Sequence, residues 1–401
     1  MSSPDNSLPT KAVALKTFET PSQIFDARFT PCGTILLAAC MDSCVRRWSL
    51  IEPPPKDAPP SKDAKDAALD PLAGVEPSKD VTPKKAPSKE APKGKAPPPP
   101  PYDLRELPPI EGFQGWVQAF ALHPKNPVAF AADTWGKLES WSTLDEKPQR
   151  HWSVPEAHNG WIRHIAVSQD GSQIATCAQD RFIRLWDAAT GKKLAELQHT
   201  EPVFALTFHP DGKQLVFADL HSKIHILSVS PFQPVRSIET AEFFLLSRMQ
   251  EVSGLRRLRF SEDGTTLFAA GAKPSSGGFV EATPMIVRIE FSSGKTLETL
   301  KIGAPKDGFV LDLDWHAKGF HAAAFSGQPG VGRLALIKPG AKEPFFADTN
   351  PSNCQSVTLH PGGELLVVVA TNKNSGGNGK RIAKDGYPAN NSPLVLYRLE
   401  A

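Results

Sequence analysis

A phrase of about a dozen residues recurs seven times along this chain, and no other feature constrains the fold so tightly. Each copy is an apolar run, a tight turn rich in Pro, Asp or Gly, and a second apolar run. The copies are RFTPCGTILLAA ending at Ala39, ALHPKNPVAFAA at Ala132, AVSQDGSQIATC at Cys177 and TFHPDGKQLVFA at Ala218, then RFSEDGTTLFAA, DWHAKGFHAAAF and TLHPGGELLVVV. This is the pattern of a β-hairpin. A further apolar segment follows each hairpin, with Trp48, Trp141, Trp186, Leu227, Ile289, Ile337 and Tyr397 at matching places. Successive copies lie 41 to 55 residues apart, except across the first gap. Three strands and a return in ~45 residues is the period of a propeller blade, which cannot bury both faces alone and must stack around an axis. The expected fold is all-β: one seven-bladed propeller spanning residues 1–401.

The exceptional gap holds PPPKDAPPSKDAKDAALDPLAGVEPSKDVTPKKAPSKEAPKGKAPPPPP, from Pro53 to Pro101. Such a sequence cannot bury a core. Blade 1 has three strands by Leu50, and YDLRELPPI after Pro101 supplies the fourth, so residues 52–101 are expected to be a disordered insertion in the loop between strands c and d. Its closing five-proline run favours polyproline II. At the other end, SPLVLYRLEA provides a third strand for the last blade and no fourth. The alternating AVALKTFET, residues 12–20, is expected to complete that blade and close the ring.

One copy is specific. HNGWIRHIAVSQDGSQIATCAQDRFIRLWDAATGKKLAEL resembles the WD40 repeat family. The resemblance implies a hydrogen-bonded tetrad inside blade 3 made by His158, Thr176, Asp180 and Trp186. A buried indole N–H, His and Asp each need such partners. Blade 1 keeps Asp42 and Trp48, blade 2 keeps Trp141, and blades 4 to 7 replace the Trp. Loosely matched repeats with an Ala/Pro/Lys insertion look like a bacterial member of the family.

Composition narrows the class. A net charge of +2 over 401 residues gives no large basic field, so a nucleic-acid partner is not expected. The N-terminal sequence lacks a secretory pattern and no window approaches the ~20 apolar residues of a membrane span, which points to a soluble cytoplasmic protein. Five scattered cysteines, with no CxxC, read as small buried residues in a reducing compartment.

Several motifs invite chemistry. His123, His209, His316 and His360 occupy one repeat position just before the hairpin turn. Equivalent positions on different blades are too far apart to share a metal ion, so they read as turn caps. His221 and His225 sit about 13 Å apart if they lie on one strand, too far for one ion. NKNSGGNGKRIAKDG lacks the glycine and hydroxyl of a phosphate-binding loop. It reads as an exposed basic loop carrying Lys373, Lys380, Arg381 and Lys384. With no GxSxG, HExxH or Ser/His/Asp set, no catalytic residue, cofactor or metal is assigned.

In the family's geometry the b–c and d–a loops share one rim. The expanded segments TAEFFLLSRMQEVSG, AKPSSGGFVEAT and NKNSGGNGKRIAKDGYPANN all fall there, and lengthened loops on a rigid scaffold are where recognition is built. Candidate partner contacts are Phe243, Phe244 and Arg248 from the first, with Lys373, Lys380, Arg381 and Lys384 from the last. The expected function is a non-catalytic scaffold, monomeric alone, that binds a protein or peptide through this rim. The alternatives are a small-molecule or catalytic site at the channel mouth and a nucleic-acid-associated propeller using Lys373, Lys380, Arg381, Arg256 and Arg257.

Overall fold

Strand b is the most buried strand of each repeat because both of its faces are covered. Every residue of Ile35–Cys40 and of Leu365–Thr371 is buried, whereas the outer strand Lys193–Gln198 is largely exposed. Continuous apolar sequence in the middle of a blade and alternation at its edge follow from that gradient.

The computed structural model describes residues 8–52, 102–245, 253–275, 281–372, 380–382 and 388–400. Seven four-stranded antiparallel sheets form the blades of a propeller. Blade 1 runs Ile24–Phe29, Ile35–Cys40, Val45–Ile51 and Asp103–Ile110. Blades 2 to 6 begin at Val117, Ile162, Val203, Leu255 and Phe309. Blade 7 contributes Ser352–Leu359, Leu365–Thr371 and Leu394–Glu400. Its outer strand is Lys11–Phe18, paired antiparallel from Lys11 opposite Glu400 to Phe18 opposite Leu394, as the terminal sequences predict.

Apolar clusters fill the spaces between neighbouring blades. One joins Ile174 and Trp186 of blade 3 to Phe130 and Leu138 of blade 2, and another joins Ile183 and Leu185 to Phe208 and Leu215 of blade 4. Blades 7 and 1 are also stitched by polar side chains. The Ala27 amide donates to Ser356 Oγ (3.2 Å), the Ile24 amide to Ser392 Oγ (3.0 Å) and the Phe29 amide to Thr358 Oγ1 (3.3 Å).

The flanks of the proline-rich segment, Val45–Ile51 and Asp103–Ile110, are neighbours in the blade 1 sheet. Residues 53–101, on which the disorder expected of the 52–101 insertion rests, lie outside the described residues. The b–c connection of blade 7, expected to be an exposed basic loop, includes a short backbone ladder of Lys380–Ile382 with Pro388–Asn390.

The repeat histidines do more than cap their own turns. His316 Nδ1 accepts the Lys318 amide (3.0 Å), while Nε2 donates to the Gly363 carbonyl in the next blade (2.8 Å). His360 accepts from Gly362 (3.0 Å) and donates to Gly33 O (3.2 Å), so the last blade is latched to the first. His209 does the same with Asp211 (3.3 Å) and Gly264 O (3.2 Å). The recipient must be glycine twice over. Gly33 has φ +78°, and a Cβ there would lie 2.2 Å from His360 Nε2.

Candidate functional site at the channel mouth

A β-bulge at the start of strand a, repeated from blade to blade, builds the mouth of the channel. The pairing of strands a and b skips one residue between Ile24 and Asp26, Val117 and Ala119, Ile162 and His164, Val203 and Ala205, Leu255 and Arg257, and Val310 and Asp312. Blade 7 has a wider shift between Ser352 and Ser356. A bulged residue leaves the ladder and is re-aimed. The residues released this way, Phe25, Gln118, Arg163, Phe204, Arg256, Leu311 and, in blade 7, Gln355, all line one cavity of about 310 Å³. Because strand a starts at the d–a loop, this mouth opens on the rim that carries the expanded loops.

The mouth is aromatic and cationic. The Arg163 guanidinium lies 5.1 Å from the Trp161 ring centroid and 4.8 Å from that of Phe204; Arg256 lies 4.8 Å from Phe309. Such contacts hold the guanidinium planes but do not neutralise them. Among the described residues Arg163 has no carboxylate partner, and burial holds its pKa below the ordinary value. Among the described residues, Arg163 Nε, Trp161 Nε1 and Gln118 Oε1 are buried without a hydrogen-bond partner. A buried donor left unmade costs roughly 1–3 kcal/mol, so these atoms are poised for a ligand or water.

Beside the mouth stand two exposed tryptophans, Trp116 before strand a of blade 2 (44% exposed) and Trp135 in the b–c turn of the same blade (68% exposed). Trp116 pairs with Phe25, ring centroids 6.2 Å apart. Asp133 shapes the turn: its Oδ1 accepts the Trp135 (2.9 Å) and Lys137 (3.0 Å) amides, and its Oδ2 accepts the Gln114 and Gly115 amides. Gly115 is needed because a Cβ there would lie 2.6 Å from Trp135 Cδ1.

Beneath the mouth lies a belt of paired charges. Asp312 Oδ2 accepts from Arg28 Nη1 (2.8 Å), Ser356 Oγ (3.1 Å) and the Val357 amide (3.1 Å), and Arg257 Nε lies 2.8 Å from Oδ1. Arg28 also pairs with Asp26 (3.0 Å). Burial alone would raise the Asp312 pKa, but Arg257 and Arg28 hold it well below the carboxylate range. Arg257 Nη1 donates to His164 Nε2 (2.8 Å), which fixes the Nδ1–H tautomer; burial, with the nearby Arg257, lowers that imidazole to about 3.

The tetrad positions in blade 3 are joined by hydrogen bonds. Trp186 Nε1 donates to Thr176 Oγ1 (2.9 Å), the Thr176 hydroxyl lies 2.6 Å from His158 Nε2, and His158 Nδ1 lies 3.0 Å from Asp180 Oδ1. Arg184 Nη1 reaches Asp180 Oδ2 at 2.8 Å. Burial opposes the Asp180 charge, but His158 and Arg184 together hold its pKa far below the usual value. In blade 2 the Trp141 indole instead donates to the buried Glu139 (2.9 Å), which also meets Lys137 (2.8 Å), Arg150 and Ser153. In blade 7 the Tyr397 hydroxyl donates to Asp348 (2.8 Å).

The contact residues expected from sequence fare unevenly. Phe243 is not a surface residue: it ends a short 3-10 helix, Ala241–Phe243, and is fully buried among Ile238, Leu255 and Met285. Phe244 is half-buried, its ring 4.8 Å from that of His221. Arg257, offered as a phosphate contact, lies inside the channel on Asp312. Arg248, Lys373 and Lys384 lie outside the described residues, and only the backbone is described at Lys380 and Arg381. Sequence reading missed Trp116, Trp135, Trp161, Arg163 and Phe204. The signal was present in GWVQ, DTWGK and GWIR, where a tryptophan stands at a turn that has no core to fill.

Comparisons with known proteins agree with this architecture. The family model described as WD domain, G-beta repeat matches residues 13–49, 149–187 and 191–228. Each matched segment contains an outer strand followed by strands a, b and c of the next blade, so the sequence repeat is offset by one strand from the structural blade. The small ribosomal subunit protein RACK1y of Oryza sativa subsp. japonica is 30% identical over 170 residues, covering 40% of this chain and 46% of the relative. MST50-interacting protein 11 of Pyricularia oryzae is 30% identical over 162 residues, 40% of this chain and 49% of the relative. RACK1 of Drosophila melanogaster is 28% identical over 161 residues, with the same coverage. The chain spans about half the length of the curated relatives it matches.

Proposed function

The chain belongs to the WD40-repeat propellers, and from that premise we propose that it is a non-catalytic scaffold that seats a segment of a protein partner on the channel mouth. The observation that carries this reading is the ring of bulge residues, in which Arg163 and Arg256 lie against Trp161, Phe204 and Phe309 beside the exposed Trp116 and Trp135. Aromatic and arginine side chains in a partly desolvated setting are what interface hot spots are made of. The partner segment presents a carboxylate to Arg163 and an apolar side chain to the tryptophans. The names of the relatives, a small ribosomal subunit protein and an MST50-interacting protein, support assembly with other macromolecules as the mode of action.

A catalytic site at the mouth has less support. Arg28, Arg257 and Asp312 are tied to one another, and His164, whose Nε2 accepts from Arg257, offers the cavity a buried Nδ1–H donor rather than a free base. Among the described residues no helix is long and apolar enough to cross a membrane, and a cytoplasmic location fits the reading. The experiment is affinity capture from native lysate with quantitative mass spectrometry, comparing the wild-type chain with Trp135→Ala and Arg163→Glu. Loss of the same captured proteins in both variants, with the fold intact, supports the reading. Unchanged capture in both sinks it.

A further inference from the structure

We infer that His199, Asp219 and His225 form a binding site for a divalent transition-metal ion, with Zn²⁺ as the fitting occupant. The sequence hid this set, because the i, i+4 pair of His221 and His225 does not converge. The fold instead brings His225, on strand c of blade 4 (Ile224–Ser228), to Asp219 at the end of strand b and to His199 from the loop before strand a. His225 Nε2 lies 2.7 Å and His199 Nε2 3.4 Å from the same carboxylate oxygen, Asp219 Oδ2. One ligand atom from each residue falls within 4.8 Å of the others. Two bonds of ~2.0–2.1 Å at a tetrahedral centre put ligand atoms about 3.4 Å apart, so a small opening of the His225 contact admits the ion.

The surroundings fit a metal better than a structural tetrad. At the blade 3 positions these residues replace, His158 meets the hydroxyl of Thr176, and Arg184 lies opposite Thr176 in the ladder. In blade 4 the same two positions are Phe217 and His225, so the relay to a buried indole is gone and a second imidazole stands where the arginine was. Phe217 stacks on His225 (4.8 Å, 14°) and meets His199 edge-on (5.1 Å), fixing both rings. Asp219 is oriented by the Lys223 amide on its other oxygen, Oδ1 (3.0 Å), a supporting contact of the kind that holds ligating carboxylates. The nearby cation, Arg236, is turned away onto the Phe291 ring and carbonyl. The set opens into a recess of about 270 Å³, leaving room for water as a fourth ligand. The metal-free set holds Nε2–H donors on Asp219; on binding, each neutral imidazole carries its proton on Nδ1 and offers Nε2 to the ion.

The test uses the full chain freed of metal by a chelator. Calorimetry with Zn²⁺ and visible absorption with Co²⁺ are compared for wild type, His225→Phe, His199→Ala and His221→Ala. His225→Phe keeps a ring on Phe217 and removes the ligand atom; His221→Ala removes a neighbouring histidine outside the set. We expect one tight site in wild type and in His221→Ala, with tetrahedral Co²⁺ bands, and affinity weakened more than about tenfold in His225→Phe and His199→Ala. Absence of binding in wild type, or equal affinity in wild type and His225→Phe, overturns the inference.

Discussion

Arg28 Nη1 lies 2.8 Å from Asp312 Oδ2, joining blade 1 to blade 6 past the intervening blade 7 from positions 284 residues apart in sequence. With Ser356 Oγ of blade 7 lying 2.8 Å from Asp26 Oδ1 and 3.1 Å from Asp312 Oδ2, this pair ties the first blade to the last two where the ring closes.

Asp312→Ala removes the more deeply buried of the two carboxylates that Arg28 and Arg257 share, leaving them Asp26. Breaking such a pair from one side costs about 3–5 kcal/mol, to be read from urea denaturation. The pH dependence has a definite sign. The folded carboxyl titrates below its unfolded value, so its contribution is present above the ordinary carboxylate range and is lost as pH falls through that range toward the folded pKa.

His316→Ala removes a latch between blades 6 and 7 and is expected to lower stability by about 1–2 kcal/mol. Burial lowers the folded pKa of this histidine, so its latch is fully present above pH 6.5, the unfolded value, and weakens as pH falls below it. Comparing the thermal midpoints of wild type and variant between pH 7.5 and 5 should show the gap narrowing on acidification.

Thr176→Val deletes the hydroxyl that accepts from Trp186 and meets His158, stranding two buried polar groups. A loss of roughly 1–3 kcal/mol is expected by chemical denaturation, and Thr176→Ser should recover most of it.

Trp135→Ala, at a side chain 68% exposed, should change stability by no more than ~0.5 kcal/mol while reducing partner capture. Circular dichroism and denaturation measured beside the capture experiment separate the two effects.

The repeat made the strands legible, because hairpin turns and apolar runs are local signals. The closing strand Lys11–Phe18 was legible from its alternation and from the missing fourth strand of the last blade. The tetrad positions could be named because blade 3 keeps all four residue types. The mouth was hidden for a physical reason. Period-two alternation assigns faces correctly only while the ladder is regular, and the bulge in strand a shifts Arg163 and Phe204 toward the axis just where recognition is placed. Phe243 is the opposite case: an apolar doublet in an expanded loop suits either a partner contact or packing against the blade, and Phe243 fills the space between blades 4 and 5 while Phe244 stays half-buried. The convergence of His199 with His225 depends on strands meeting across a blade, which no spacing along the chain reveals.

The most direct test of the scaffold reading is photocrosslinking in cells. A benzophenone side chain replaces Trp135 on the proposed contact rim or, in a second variant, Lys213 in the exposed a–b turn of blade 4 on the opposite rim. Discrete higher-mass adducts from position 135, absent from position 213, are the predicted result. Adducts from position 213 with none from position 135 would contradict it.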